Sequence, residues 1–411
     1  MASKLMADYR ARIAKNKNLD SKEATFDVMY PTGQLMLDYV NGTEVHVDSP
    51  DIKLDYESVG IVDGSANTII GRTGCGKSTL VTQIIGFMMK TNPDSIAFFD
   101  DIEGSLPQNR KEFLLDMPEE EIKDRCFFRN TGITTESVYY QLKEHHDSKL
   151  ENRVEYEYDT GLYDTSGNRI FKLIPTFYFI DSFAMLMPKE IAEDTAVGEN
   201  VMGATATAKK NTELVKKISQ MLKEANIILF TINHILDDIQ MGFLPKPVQV
   251  DGLKQGERMA GGKTAQYLAN NLIRLDEKTK WKDTEGFGIN ATVVTATLIK
   301  SRTNATRRGV PLVFDKTNGK YDNYLSVYQF LKDQGMIDGA GKSLYFHGFP
   351  DAKFSQKEFL SKLETDIDLQ LAFTTVARTE LHKLLSNTTR ERNQNSGFDL
   401  NAAIRNMQIE R

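Results

Sequence analysis

Gly71-Arg72-Thr73-Gly74-Cys75-Gly76-Lys77-Ser78 spells G-x-x-x-x-G-K-S, between an apolar run ending Thr68-Ile69-Ile70 and a segment, 79–90, with helical apolar spacing. A strand before and a helix after are the setting in which this pattern cradles phosphates rather than forming a plain turn. Gly71, Gly74 and Gly76 let the backbone curl so that successive N–H groups face an anion at a helix N-terminus. Lys77 then neutralises β/γ oxygens and the Ser78 hydroxyl ligates Mg²⁺, with Arg72, Thr73, Cys75 and Thr79 completing the nucleotide-contacting stretch. The chain is therefore expected to bind a nucleoside triphosphate.

The sequence has 411 residues, 40% of them apolar, enough for one large α/β domain with appendages. No run approaches a membrane span and residues 1–18 carry no apolar secretory core, so the expected location is cytoplasmic, without a membrane partner. Cys75 and Cys126, the two cysteines, offer neither a disulfide framework nor metal-ligand spacing. A net charge of −6 argues against bulk adhesion to nucleic acid and confines any such binding to local basic patches.

In residues 1–29, Leu5, Met6, Tyr9 and Ile13 have the spacing of a short amphipathic helix, read as an arm that docks on the core or on a neighbouring subunit. From there to about residue 323, β-rich apolar runs at 95–100, 126–129, 176–180, 226–233, 272–276 and 292–299 alternate with helix-compatible stretches. Strands apolar on both faces and separated by helices predict a mostly parallel twisted sheet flanked by helices. The 144–173 segment reads as a hairpin insertion, turning at Asp164-Thr165-Ser166-Gly167-Asn168. Two long aperiodic segments, 189–203 and 235–262, are candidate functional loops. A small C-terminal domain is expected over 324–386 and a loosely ordered tail over 387–411.

Acidic and polar residues close the predicted strands at the edge where open α/β sheets bind ligands. Phe177-Tyr178-Phe179-Ile180 ends on Asp181, the expected metal carboxylate beside the loop. Phe98-Phe99 leads into Asp100-Asp101-Ile102-Glu103, where Glu103, or alternatively Asp101, would activate water. The strand at 226–233 is followed by His234, placed either to sense the γ-phosphate or as a satisfied structural histidine.

These pieces, in this order, resemble the RecA family of recombinases, including the phage UvsX type. Pro31-Thr32-Gly33-Gln34-Leu35-Met36-Leu37-Asp38 is similar to the family segment ahead of the loop. Asp101-Ile102-Glu103 is similar to its D-x-E, Asp181-Ser182-Phe183-Ala184-Met185-Leu186 to its D-S-x-A-x-L, and Val201-Met202-Gly203 to the M-G of its first DNA-binding loop. Gly261-Gly262-Lys263, with Tyr267 beyond, resembles the close of its second loop, and Lys300-Ser301-Arg302 falls at its basic finger pair. The resemblance covers residues from about 30 to 345. It implies a RecA-like ATPase core, ATP and Mg²⁺ as cofactors, Glu103 and Lys77 as catalytic residues, and Lys300 and Arg302 reaching a neighbour's γ-phosphate. His234 departs from the family's usual Gln, the second loop looks longer than usual, and the 144–173 segment is extra.

For DNA, Lys209 and Lys210 flank the first loop, and Arg258 and Lys263 punctuate the second. Gly261 and Gly262 precede a predicted helix N-terminus, while Met202, Gly203, Met241 and Phe243 supply small and apolar contacts, which would either wedge between bases or anchor the loops on the core. The function implied is an ATP-dependent recombinase. It would form helical homo-oligomers on single-stranded DNA with ATP at the subunit interface, and pair that strand with double-stranded DNA. Single-strand-binding and mediator proteins are further partners this leaves room for, and a bacterial host cytoplasm follows if the chain is phage-encoded. A DnaB-like ring helicase, which shares the core and a finger strand like 310–315, and a nucleotide-gated scaffold are the alternatives. No primase-binding domain is read ahead of the core.

Overall fold

A computed structural model describes residues 27–104, 106–193, 201–238, 252–260, 266–267, 269–280, 290–304 and 306–385, with side chains at 201–205 and 278–280 outside the description. Most of the expected N-terminal arm, the 387–411 tail, Met241, Phe243, Gly261, Gly262 and Lys263 lie outside the described residues, as does the side chain of Met202.

A ten-stranded sheet organises the chain. Its strands are β1 (Ala66–Gly71), β2 (Ile96–Asp101), β3 (Cys126–Arg129), β4 (Thr176–Asp181), β5 (Ile227–Asp237), β6 (Glu257–Met259), β7 (Asn271–Lys280), β8 (Ala291–Lys300), β9 (Gly309–Asp315) and β10 (Lys320–Asp322). They run in the order β3-β2-β4-β5-β1-β7-β8-β9-β10, with β6 paired to the far end of β5. The six strands from β3 to β7 are mutually parallel, and β8, β9 and β10 continue antiparallel. The mixed, mostly parallel sheet has the α/β character the alternating runs predict.

Period-two alternation assigns each central strand two buried faces. Phe177 and Phe179 of β4, with Ile228, Phe230 and Ile232 of β5, share one side, under the helix α1 (Lys77–Thr91). Tyr178 and Ile180, with Ile227 and Leu229, face the opposite layer, where Val138 and Leu142 of α2 (Thr135–Glu151) meet Leu214, Ile218 and Leu222 of α3 (Val201–Glu224).

Several boundaries differ from the sequence reading. Helix α2 runs to Glu151 and a further turn covers Arg153–Tyr156, so the 144–173 insertion is hairpin only in Glu157–Tyr163 and Arg169–Leu173. Its tip is the expected one, Asp164 accepting from the backbone of Ser166 and Asn168. The 189–203 segment contains the helix Lys189–Ala192, and α3 already begins at Val201, which puts Met202 and Gly203 in helical backbone. The ends of 235–262 are strand: β5 extends to Asp237 and β6 returns beside it. The C-terminal segment opens with α4 (Asn323–Asp333), and Tyr328, Phe346, Phe354, Phe359 and Leu381 belong to the same apolar cluster as Leu80 and Ile84 of α1. It extends the core instead of building a separate one.

Candidate functional site

The loop glycines are shaped as a phosphate cradle requires. Gly74 and Gly76 have φ of +87° and +77°, the left-handed region that disfavours side chains. A Cβ on Gly74 would meet nothing within 4 Å, so this backbone stands open, whereas one on Gly71 would press on Cys75 Sγ and the Leu275 carbonyl. Tyr321 Oη donates to the Cys75 carbonyl at 2.7 Å and pins the loop from below. Cys75 is buried, and burial pushes its thiol up from its ordinary value. Thr79 is buried in the first turn of α1, behind the exposed Thr73.

Parity brings the remaining groups to this loop. Asp181 continues the face of Phe177 and Phe179, and His234 the face of Phe230 and Ile232, so both turn toward the α1 side of the sheet. Ser78 Oγ donates to Asp181 Oδ2 at 2.5 Å. Lys77, 5% exposed, places Nζ 3.1 Å from the Gly71 carbonyl, 2.9 Å from the Arg72 carbonyl and 3.4 Å from His234 Nδ1. Burial holds its ammonium below the ordinary lysine value, partly offset by Asp181 and Glu103. His234 Nε2 lies 2.9 Å from Glu103 Oε1, and Ser182 Oγ donates to the same carboxylate. The turn after β2 sets this geometry, because the N–H groups of Ile102 and Glu103 both donate to the Asp181 carbonyl, at 2.7 and 3.2 Å. Lys77, Ser78, Glu103, Asp181 and His234 thus converge, although the start of α1 and the separate strands β2, β4 and β5 supply them.

The two candidate water activators part here. Glu103 faces the loop, while Asp101 is buried and ion-paired with Lys111 at 2.8 Å. Asp100 is likewise committed, to Arg129 and Tyr178.

Other expected residues lie elsewhere. Lys300 ends β8 and Arg302 follows it, and the strand's antiparallel course carries both toward the N-terminal edge of the parallel strands, Lys300 pairing with Leu272 at the level of Thr68. At about 3.3 Å per residue, the sheet separates Lys300 from the level of Gly71 by roughly 10 Å along the strands and Arg302 by more. Arg302 is exposed beside Asp63, Gly64 and Ala66, and Lys300 donates to the Gln266 carbonyl. Burial and the neighbouring Arg302 hold Lys300 below its ordinary value. Lys209 is exposed on α3, Lys210 reaches Glu136 at 3.5 Å, and Arg258 is exposed on β6.

Sequence reasoning missed an ion network on Arg72. Its guanidinium meets Asp237 Oδ1 at 2.5 Å and Glu257 at 3.9 Å, and Glu257 pairs in turn with buried Arg274. The phosphate loop is thereby tied to both strands that bracket residues 239–251. No pattern marks these carboxylates, since strand pairing alone brings 237 and 257 together.

The donor set fits a Mg²⁺-bound triphosphate: open loop N–H groups, a buried ammonium holding only neutral groups, and a hydroxyl–carboxylate pair for the cation. Among the described residues no group of three or more His, Cys, Asp and Glu forms a self-sufficient metal site. Ser78 and Asp181 would hold the cation, which would supply charge neutralisation to a bound triphosphate. Among the described residues no helix is long and apolar enough to cross a membrane.

Fold and site together define an α/β protein compatible with a phosphate-loop nucleoside-triphosphatase core. No model of a known protein family matches the chain. Over 204 residues, 45% of its length, it is 27% identical to the energy-coupling factor transporter ATP-binding protein EcfA2 of Clostridium acetobutylicum, and spans 65% of that relative, less than two thirds of its length.

Proposed function

We propose that the chain is a DNA-dependent ATPase of the RecA recombinase type, binding ATP and Mg²⁺ between subunits of a helical filament on single-stranded DNA. The likeness to an ATP-binding protein supports the nucleotide. The observation that carries the reading further is the opposition of two half-sites on one sheet. Lys77, Ser78, Glu103, Asp181 and His234 lie at one edge, and Lys300 and Arg302 reach toward the other. Strand register sets Arg302 apart from Lys77 within one chain, and stacking of copies along the strand direction would join one chain's cations to the next chain's phosphates.

In this reading Lys77 and the loop N–H groups hold the phosphates, Ser78 and Asp181 hold the cation, and Glu103 takes a proton from water. Ser182 and His234 aim that carboxylate. The bound Mg²⁺ would supply Lewis-acid stabilisation of phosphate charge. Arg72 would pass the state of the phosphate loop to Asp237 and Glu257, and so to the 235–262 loop proposed to grip DNA.

Electron microscopy with a non-hydrolysable ATP analogue and single-stranded DNA tests the assembly. Open helical filaments support the proposal, closed six-membered rings would favour a DnaB-like helicase, and unassembled chains would favour a scaffold.

A further inference from the structure

Four lysines are buried among the described residues, and three have an evident reason. Lys111 pairs with Asp101, Lys172 pairs with Asp63, and Lys77 belongs to the phosphate loop. Lys149, the fourth, is 4% exposed and sits near the end of α2 with no carboxylate in salt-bridge range among the described residues. Its Nζ donates to the Ile174 carbonyl at 2.5 Å and to Thr176 Oγ1 at 3.2 Å. Both partners are neutral, which is the arrangement Lys77 has with the carbonyls of Gly71 and Arg72.

Lys149 also lines a cleft of about 740 Å³. The cleft lies at the N-terminal edge of β2, β3 and β4, where the residues before each strand form its wall, and so at the edge of the sheet away from Asp181. Arg125 has its donors engaged by Ser95, Met89, Asn92 and Glu121, and His145 is bound to Thr176. Besides Lys149 and Arg125, the charged groups lining the cleft are exposed Asp94, Asp124 and Glu155 at its rim, and Tyr156 is the remaining titratable side chain there. A polyanion such as DNA would meet these acids first, whereas a small anion can pass them to the floor.

We infer that this cleft is a second anion site, in which Lys149 and the Thr176 hydroxyl seat one small oxyanion, a phosphate or carboxylate group of a metabolite. Desolvation of an ammonium without a counter-ion is what such a ligand would relieve. Consistent with that, burial brings the Lys149 amine down to about 7, and burial together with nearby Lys149 brings His145 to about 4, leaving Lys149 as the titrating cation of the floor.

Sulfate is a suitable probe because its charge is constant between about pH 6 and 9. Calorimetric titration of sulfate into the full chain, with the phosphate loop saturated by Mg²⁺-ADP, should show binding that weakens about tenfold or more from pH 6 to 9 and is absent in Lys149→Gln. Should that variant fail to fold, ¹³C spectra of reductively methylated wild-type chain serve instead, and the Lys149 resonance should titrate at higher pH when sulfate is present. Equal affinity in Lys149→Gln, no pH dependence, or a Lys149 titration indifferent to sulfate would each overturn the assignment.

Discussion

His234 stands between Lys77 and Glu103, its Nδ1 3.4 Å from the lysine ammonium and its Nε2 2.9 Å from the glutamate carboxylate. One imidazole therefore links the group expected to hold phosphate with the group expected to activate water. Imidazole has a single proton when neutral, so it can donate to Glu103 while accepting from Lys77. Replacing His234 by Ala should leave nucleotide binding near normal and lower kcat by about 10-fold to 100-fold, since Glu103 would be aimed by Ser182 alone. Steady-state kinetics beside nucleotide titrations would reveal this, and an unchanged kcat would reduce the histidine to a structural role.

Glu103 and Asp101 make opposite predictions. Glu103→Gln should lower turnover by about 100-fold or more while ATP and DNA still bind. Asp101→Asn should instead act on the fold, leaving Lys111 buried without its counter-ion at a cost of about 3 kcal/mol, measurable by denaturant unfolding. Normal hydrolysis in the Glu103 variant would return the role to Asp101.

Lys149 makes stability depend on pH. Its amine is held near 7 in the fold against 10.5 ordinarily, so the unfolded chain binds the extra proton between those values. Stability should rise as pH climbs from about 7 toward 10.5, with the full penalty present below 7, on the order of a few kcal/mol in all. Lys149→Met should be more stable than wild type at about pH 7 and lose that slope. A variant with an unchanged pH profile would show the amine to be ordinary.

Changing Lys300 and Arg302 together to Ala should suppress DNA-stimulated hydrolysis even though neither lies at its own phosphate loop. The effect should be about 1000-fold, as for cations that meet transition-state charge in trans. Mixing this variant with Glu103→Gln should restore part of the activity, because one copy then supplies the cations and the other the intact glutamate. Complete failure of such mixtures would remove the support for action across an interface.

Much of this site was legible because it consists of strand ends. An apolar run closing on Asp181, another closing on the acidic stretch Asp100-Asp101-Ile102-Glu103, and a glycine loop before α1 can be placed from periodicity alone, as the parity of Phe177, Phe179 and Asp181 illustrates. What periodicity could not show was partnership. Asp101 and Glu103 are two residues apart and equally acidic, and only the turn held by the Asp181 carbonyl sends one to the loop and the other to Lys111. The Arg72 network was hidden for a similar reason, since Asp237 and Glu257 meet through a strand pairing inside what reads as a loop. Helical backbone at Met202 and Gly203 went unseen because Ala-Thr-Ala-Thr, residues 204–207, gives no apolar stripe.

ATP hydrolysis per chain, followed across protein concentration with and without single-stranded DNA, tests most directly whether two copies share one nucleotide. A shared site predicts a specific rate that climbs with concentration to a plateau and is reached at lower concentration on DNA. A specific rate that stays flat over the whole range and ignores DNA would contradict it.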